Sequence, residues 1–237
     1  MNKNSVELLS CFDLRKDYQS PSGVLPVLKG VNFSLGVGEM AFIIGRSGSG
    51  KSTLLQLLGG LDQPTAGKIL FEGEDITDMK ESALARIRNR RVGFVFQSYH
   101  LLPELTLFEN VLLPTIISGK KDAQWTKELL KKVKLFDRKD HYPSELSGGE
   151  QQRGAIARAL VNHPSIVLCD EPTGNLDLET SESIFSLMNE LNEKSGNSFV
   201  VVTHDENIAW RYEHVYRLVD GVLLPEQRGE IKVEKVQ

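Results

Sequence analysis

The chain has 237 residues, 40% of them hydrophobic and 25% charged, which supports a substantial buried core and excludes a disordered polypeptide. A formal net charge of −4 leaves no domain-wide basic excess, so nucleic acid is not expected as a partner. Two cysteines, Cys11 and Cys169, are too few for a disulfide framework or a zinc site, which fits a reducing compartment. Residues 1–10 lack the apolar core of a secretory signal, and no window reaches the roughly 18 apolar residues of a membrane span. Any membrane role is therefore expected to run through a partner.

In chain order, residues 27–35 and 68–71 have strand character with glycine-containing turns and are expected to form an antiparallel β edge. Residues 40–44 are a compact apolar run that feeds a Gly/Ser loop and a helical segment at 52–58. Basic clusters at 86–91 and 127–134 read as solvated helix faces. Further short runs at 92–96, 166–169 and 199–202 are apolar at every position, the pattern of strands buried on both faces of a parallel sheet. Helical periodicity marks 107–117, 123–133, 150–161 and 180–191, and three of these four lie between Phe96 and Cys169. The reading is an α/β fold with a mostly parallel sheet, an α/β core at 1–97 and 163–237, and a helical subdomain inserted at 98–162. Residues 225–237 read as a polar surface tail.

The strongest chemical signal is Gly45-Arg46-Ser47-Gly48-Ser49-Gly50-Lys51-Ser52-Thr53, which fits the phosphate-loop pattern G-x-x-x-x-G-K-[ST]. Its glycines let backbone amides turn toward phosphate oxygens where a Cβ would obstruct them, and the helix that follows adds its N-terminal amides. Lys51 supplies a point charge for the β and γ phosphates, and Ser52 a hydroxyl for Mg²⁺. The run at 166–169 ends in Asp170-Glu171, which delivers two carboxylates to the carboxyl edge of the sheet, where α/β folds bind ligands. Alone such a pair is a common solvated loop. Beside a phosphate loop, Asp170 suits the Mg²⁺ shell and Glu171 suits a base that polarises the attacking water. A second small-residue turn, Ser147-Gly148-Gly149, opens the helix at 150–161 and is another anion-binding helix start.

With these residues in place the chain resembles the ATP-binding-cassette ATPases over nearly its whole length. The stretch from Leu146 to Arg153 matches the family signature, and the resemblance assigns further roles. Gln97 matches a glutamine that touches Mg²⁺ and relays to the membrane partner. Asn175-Leu176-Asp177 matches the loop that crosses between two monomers, and His204 a histidine that holds the γ-phosphate and the water. Tyr18 fits an aromatic that stacks on adenine. His100, His141, His163 and His214 match nothing and read as structural or surface residues. Within the family the stretches GFVFQSYHLL (93–102) and DEPTGNLD (170–177) are most similar to ATPase subunits of bacterial lipoprotein-releasing systems, with macrolide and peptide exporter ATPases as alternatives.

The resemblance implies ATP and Mg²⁺ as ligands, and a head-to-tail dimer in which Ser147, Gly148, Gly149 and Asp177 of one copy complete the site of the other. It also implies transmembrane permease subunits as partners and a peripheral position on the cytoplasmic side of the inner membrane. A soluble cassette ATPase of translation or repair would carry two cassettes or a long coiled-coil insert, and neither is present. A phosphate-loop kinase or GTPase leaves Ser147-Gly148-Gly149 unexplained. Two departures from the family pattern stand out. Gly154 replaces an apolar residue after the signature arginine and should loosen that helix, and Cys169 stands where alanine is common.

Overall fold

The computed structural model describes residues 7–21 and 23–226. Its centre is a six-stranded sheet built from β3 (Met40–Ile44), β6 (Val92–Phe96), β7 (Ile166–Asp170), β8 (Ser198–Thr203), β9 (His214–Val219) and β10 (Val222–Glu226), in the order β10-β9-β3-β8-β7-β6. Every pairing from β9 to β6 is parallel, and only the β10–β9 hairpin is antiparallel. The centre strands are apolar throughout because both faces are covered. Ala41 and Ile43 of β3 join one core, whereas Met40, Phe42 and Ile44 join the other, as the two-residue period of a strand requires.

The first core is closed by α1 (Lys51–Leu58), α2 (Glu81–Arg90) and a second sheet. That sheet is antiparallel, in the order β2-β1-β4-β5, from β1 (Glu7–Ser20), β2 (Gly23–Gly36), β4 (Ala66–Phe71) and β5 (Glu74–Asp75). The antiparallel region thus takes the form of a sheet of its own. It is tied to the parallel sheet where the Lys29 amide donates to the Gly221 carbonyl at 2.8 Å. The second core is closed by α3 (Leu107–Ile117), α4 (Ala123–Lys132) and α5 (Gly148–Leu160), all inserted between β6 and β7, together with α6 (Leu178–Ser195). A short α7 (Glu206–Ala209) precedes β9. Among the described residues no helix is long and apolar enough to cross a membrane.

One detail differs from the sequence reading, and another adds to it. Pro225 and Glu226 belong to no tail: they pair with Tyr216 and Val215 as the end of β10, and Arg217 Nε donates to Glu226 Oε1 at 2.5 Å. The rest of that stretch, 227–237, lies outside the described residues. Gly154, expected to loosen α5, also sits at a close helix contact. A Cβ there would stand 2.6 Å from Leu107 Cδ1, so its absence lets the start of α3 press against α5. Cys11 and Cys169 are both fully buried in separate cores, and burial pushes the Cys11 thiol up to about 12 and the Cys169 thiol higher still.

The same close approach occurs at Gly93 on β6, where a Cβ would meet the Ala159 backbone carbonyl oxygen of α5 at 2.6 Å. Backbone cannot yield as a side chain can. We predict that Gly93→Ala lowers the unfolding free energy by about 1–3 kcal/mol, the usual cost of overpacking. Urea unfolding measures it, and an unchanged midpoint would show that α5 rides β6 loosely.

Candidate active site

Four parallel strands deliver the site. Register sets Ile44 opposite Thr203, Asp170 opposite Val202 and Phe96 opposite Asp170, so the residues after β3, β6, β7 and β8 emerge along one edge of the sheet. Those residues are the phosphate loop, Gln97, Glu171 and His204, and all of them border one cleft of about 650 Å³. Its lining consists of Val27, Ser47, Gly48, Gly50, Lys51, Ser52, Thr53, Gln97, Glu171 and His204.

Gly48 and Gly50 take left-handed backbone, with φ of 79° and 102°. A Cβ on Gly48 would meet no protein atom within 4 Å, so space is not the constraint there; the left-handed φ is. Gly50 precedes α1 as its N-cap and provides no side-chain hydrogen bond, which leaves the first amides of that helix facing the cleft without a protein acceptor from the cap. Lys51 is buried at 7% exposure. Its ammonium folds back on the loop, donating to the Gly45 carbonyl at 2.9 Å and the Arg46 carbonyl at 3.2 Å, with Glu171 Oε1 at 3.7 Å.

Glu171 stands between the Lys51 ammonium and His204. Its other oxygen lies 2.8 Å from His204 Nδ1 and accepts the His204 backbone N–H at 3.2 Å. Glu171 holds a left-handed φ of 46°, which costs a non-glycine residue about 1–2 kcal/mol. The bond from its own amide to the Val202 carbonyl at 2.9 Å helps fix that turn. Asp170 accepts the Ser52 hydroxyl at 3.0 Å, and burial, reinforced by the charge of Glu171, pushes its carboxyl above the ordinary range. A hydroxyl, a carboxylate and a carboxamide oxygen are the hard oxygen donors that Mg²⁺ takes. Ser52, Asp170 and Gln97 could each offer one such oxygen at the cleft.

Gln97 is held from behind. Its Nε2 donates to Asn175 Oδ1 at 3.1 Å, and Asn175 Nδ2 returns a bond to the Gln97 carbonyl at 3.1 Å. Gly174 makes room for this pair, because a Cβ there would stand 2.8 Å from Gln97 Nε2. Neither this clamp nor the presence of Val27 in the cleft was anticipated from the sequence, since both depend on residues far apart in the chain.

Other candidates sit apart. Ser147, Gly148 and Gly149 line no part of the cleft in their own chain. Ser147 caps α5 in a reciprocal box with Glu150: its hydroxyl accepts the Glu150 amide at 3.3 Å and donates to Glu150 Oε2 at 2.8 Å. Asp177 caps α6 by accepting the Thr180 amide at 2.9 Å, and Leu178 beside it is 83% exposed. Tyr18 is likewise outside the cleft lining. Its hydroxyl donates to Asp62 Oδ2 at 2.9 Å close to Thr53, and the Lys16 ammonium lies 4.8 Å from its ring centroid. Of the remaining histidines, His163 stacks on Trp125 and His100 leans on Phe96, both packing roles.

This arrangement agrees with comparisons to known proteins. A family model described as ABC transporter matches residues 28–174. The lipoprotein-releasing system ATP-binding protein LolD of Idiomarina loihiensis is 50% identical over 223 residues, covering 93% of this chain and 98% of that protein. The dimeric post-hydrolysis state of the ATP-binding cassette MJ0796, bound to ADP and Pi, matches with a TM-score of 0.85 and 41% identity over 93% of this chain and 98% of its own. A second dimeric MJ0796 structure, described as a bacterial ABC transporter cassette, matches with a TM-score of 0.85 and 42% identity over the same shares. The phosphate loop and carboxylates at the sheet edge, the family model and a relative aligned along almost the full length all lead to one assignment: the chain belongs to the ABC transporter family and is an ATP-hydrolysing cassette.

Proposed function

We propose that the chain is the ATPase subunit of a bacterial lipoprotein-releasing system. In this reading it works peripherally on the cytoplasmic side of the inner membrane against transmembrane permease subunits, with two copies holding ATP between them head to tail. The observation that carries the cargo assignment is the 50% identity, over nearly all of both chains, to a lipoprotein-releasing ATP-binding protein. The reading is tested by purifying the chain with candidate permease subunits and reconstituting the complex in vesicles. ATP should drive release of an acylated protein from those vesicles. A complex that hydrolyses ATP but releases only a macrolide or peptide would replace this reading with the exporter one.

Within the site, Lys51 and the phosphate-loop amides hold the triphosphate. Ser52, Asp170 and Gln97 are the residues that would hold Mg²⁺, which when bound offsets the charge of the phosphate oxygens. Glu171 accepts the proton of the attacking water, while His204, within hydrogen-bond reach of Glu171, orients that water and the γ-phosphate. Tyr18, beside Thr53, is the proposed adenine platform. Residues 98–162 act as the helical subdomain that presents Ser147 and Gly149 to the second copy. Support for the shared site comes from one chain carrying two anion-binding helix starts of which only one opens on the cleft, and from the exposed Leu178 next to Asp177.

Glu171→Gln keeps the shape of the side chain and loses its basicity. It should still bind ATP while turnover falls by about 10²- to 10⁴-fold, the usual contribution of a general base. Phosphate release at the wild-type rate would remove Glu171 from that role.

The shared site is tested by mixing two inactive variants, Lys51→Ala and Ser147→Asp. Aspartate preserves an N-cap but sets a negative charge against the γ-phosphate. It is preferred to a change at Gly149, where a Cβ would stand 2.5 Å from Thr180 Cγ2 within the same chain. A heterodimer then holds one doubly damaged site and one intact site, so mixing should restore partial hydrolysis. No recovery, together with a Glu171→Gln variant that stays monomeric in ATP beside its membrane partner, would contradict a site built from two chains.

A further inference from the structure

The segment that follows Gln97 is bent in an unusual way. Tyr99 and His100 are consecutive non-glycine residues with φ of 59° and 50°, both left-handed. The turn is tight, with the Tyr99 amide donating to the Phe96 carbonyl at 3.1 Å and the His100 amide to the Ser98 carbonyl at 2.5 Å. Left-handed pairs without glycine persist only where their surroundings hold them. Here the carbonyls of both residues converge on one guanidinium. Arg158 donates from Nη2 to the Tyr99 carbonyl at 2.8 Å and from Nη1 to the His100 carbonyl.

Arg158 is half-buried on the last turn of α5, and desolvation, with no carboxylate to counter it, pushes its guanidinium down. Two charge-assisted bonds to carbonyls offset that burial. The other end of α5 meets the same segment, since a Cβ on Gly148 would lie 3.0 Å from the Tyr99 hydroxyl. The strap after Gln97 is therefore fastened along α5, by its carbonyls near the C-terminal end and by a side chain at the end where Ser147 sits.

We infer that Arg158 is a positioning residue for Gln97: by holding the double left-handed bend directly after it, Arg158 fixes the backbone from which the glutamine projects, while Asn175 holds the carboxamide itself. The inference rests on the proposed contact of Gln97 with Mg²⁺, and acts through backbone alone.

Arg158→Met keeps the stem and removes both bonds, and Arg158→Lys keeps the charge but can serve only one carbonyl at a time. Cys11 and Cys169 are buried, so a spin label placed at exposed Ser98 by Ser98→Cys reports on the strap selectively. In Arg158→Met the label should become more mobile, with the thermal midpoint monitored to confirm folding; if that variant fails to fold, Arg158→Lys is read instead. In the complex with its membrane partner, the Mg²⁺ concentration for half-maximal ATP hydrolysis should rise about 10-fold or more, as when a support of a metal ligand is lost. The KM for ATP at saturating Mg²⁺ should change less than twofold, and Arg158→Lys should fall between. Adding His100→Gly, which accepts the left-handed backbone without the clamp, should recover part of the Mg²⁺ response of Arg158→Met. An unchanged label in Arg158→Met overturns the clamp. A loosened label with an unchanged Mg²⁺ requirement, where Gln97→Ala does raise it, overturns the link to Gln97. If Gln97→Ala also leaves the Mg²⁺ requirement unchanged, the reading of Gln97 has failed while the loosened label still supports the clamp.

Discussion

The chemistry at the nucleotide end depends on register in the parallel sheet. Because Phe96, Asp170 and Val202 lie side by side, and Ile44 lies beside Thr203, the four functional loops leave the sheet at one level. A slip of one residue in any strand would turn every side chain to the other face. For β3 that would exchange Phe42 with Ala41 and Ile43 between two cores packed for different volumes. Two hydrophobic cores thus lock the relative heights of a lysine, a glutamate, a glutamine and a histidine that share no contact in sequence. The placement of the site is a by-product of packing.

Around that level the backbone is held in unfavourable conformations where function is proposed. Glu171, Tyr99 and His100 are all left-handed, and each is tied by specific bonds, to Val202 in one case and to Arg158 in the other two. The polar groups satisfy one another as well: Lys51 bonds its own loop, Ser52 bonds Asp170, and Gln97 bonds Asn175. In the proposed reading, phosphate and cation would take the place of these partners, so each polar group would exchange one bond for another.

What was legible in the sequence was contiguous. The strands at 40–44 and 92–96 fall where unbroken apolar runs place them, and the helix at 107–117 falls where the periodic spacing of its apolar residues does. β1 was not foreseen: a 14-residue strand interrupted by register shifts and by left-handed Asp13 shows no sustained alternation. β9 and β10 are half-exposed and mixed in character, and α2 buries only Leu84 and Ile87. At the site, the phosphate loop and Asp170-Glu171 were readable because each is a local motif. The pairing of Gln97 with Asn175 spans 78 residues and that of Arg158 with Tyr99 spans 59, distances at which no pattern in one sequence reports contact. Gly154 shows the same limit: helix propensity is visible in the sequence, whereas the proximity of Leu107 is not.

The helix that carries Lys51 begins on a glycine that gives it no cap, so its first turn lacks the side-chain acceptor that α3, α5 and α6 each have. With nucleotide held on this loop as proposed, its phosphate supplies that acceptor, and binding becomes part of the fold's stability. By mass action, a ligand held at a hundred times its dissociation constant adds about 2.7 kcal/mol to the folded state, a sizeable share of a domain's whole margin. ADP carries phosphates to the same loop as ATP does, so this contribution follows the total adenine nucleotide rather than the ratio of triphosphate to diphosphate. The margin against unfolding thus outlasts each turnover, because the product left on the loop keeps serving the helix start that the substrate had capped.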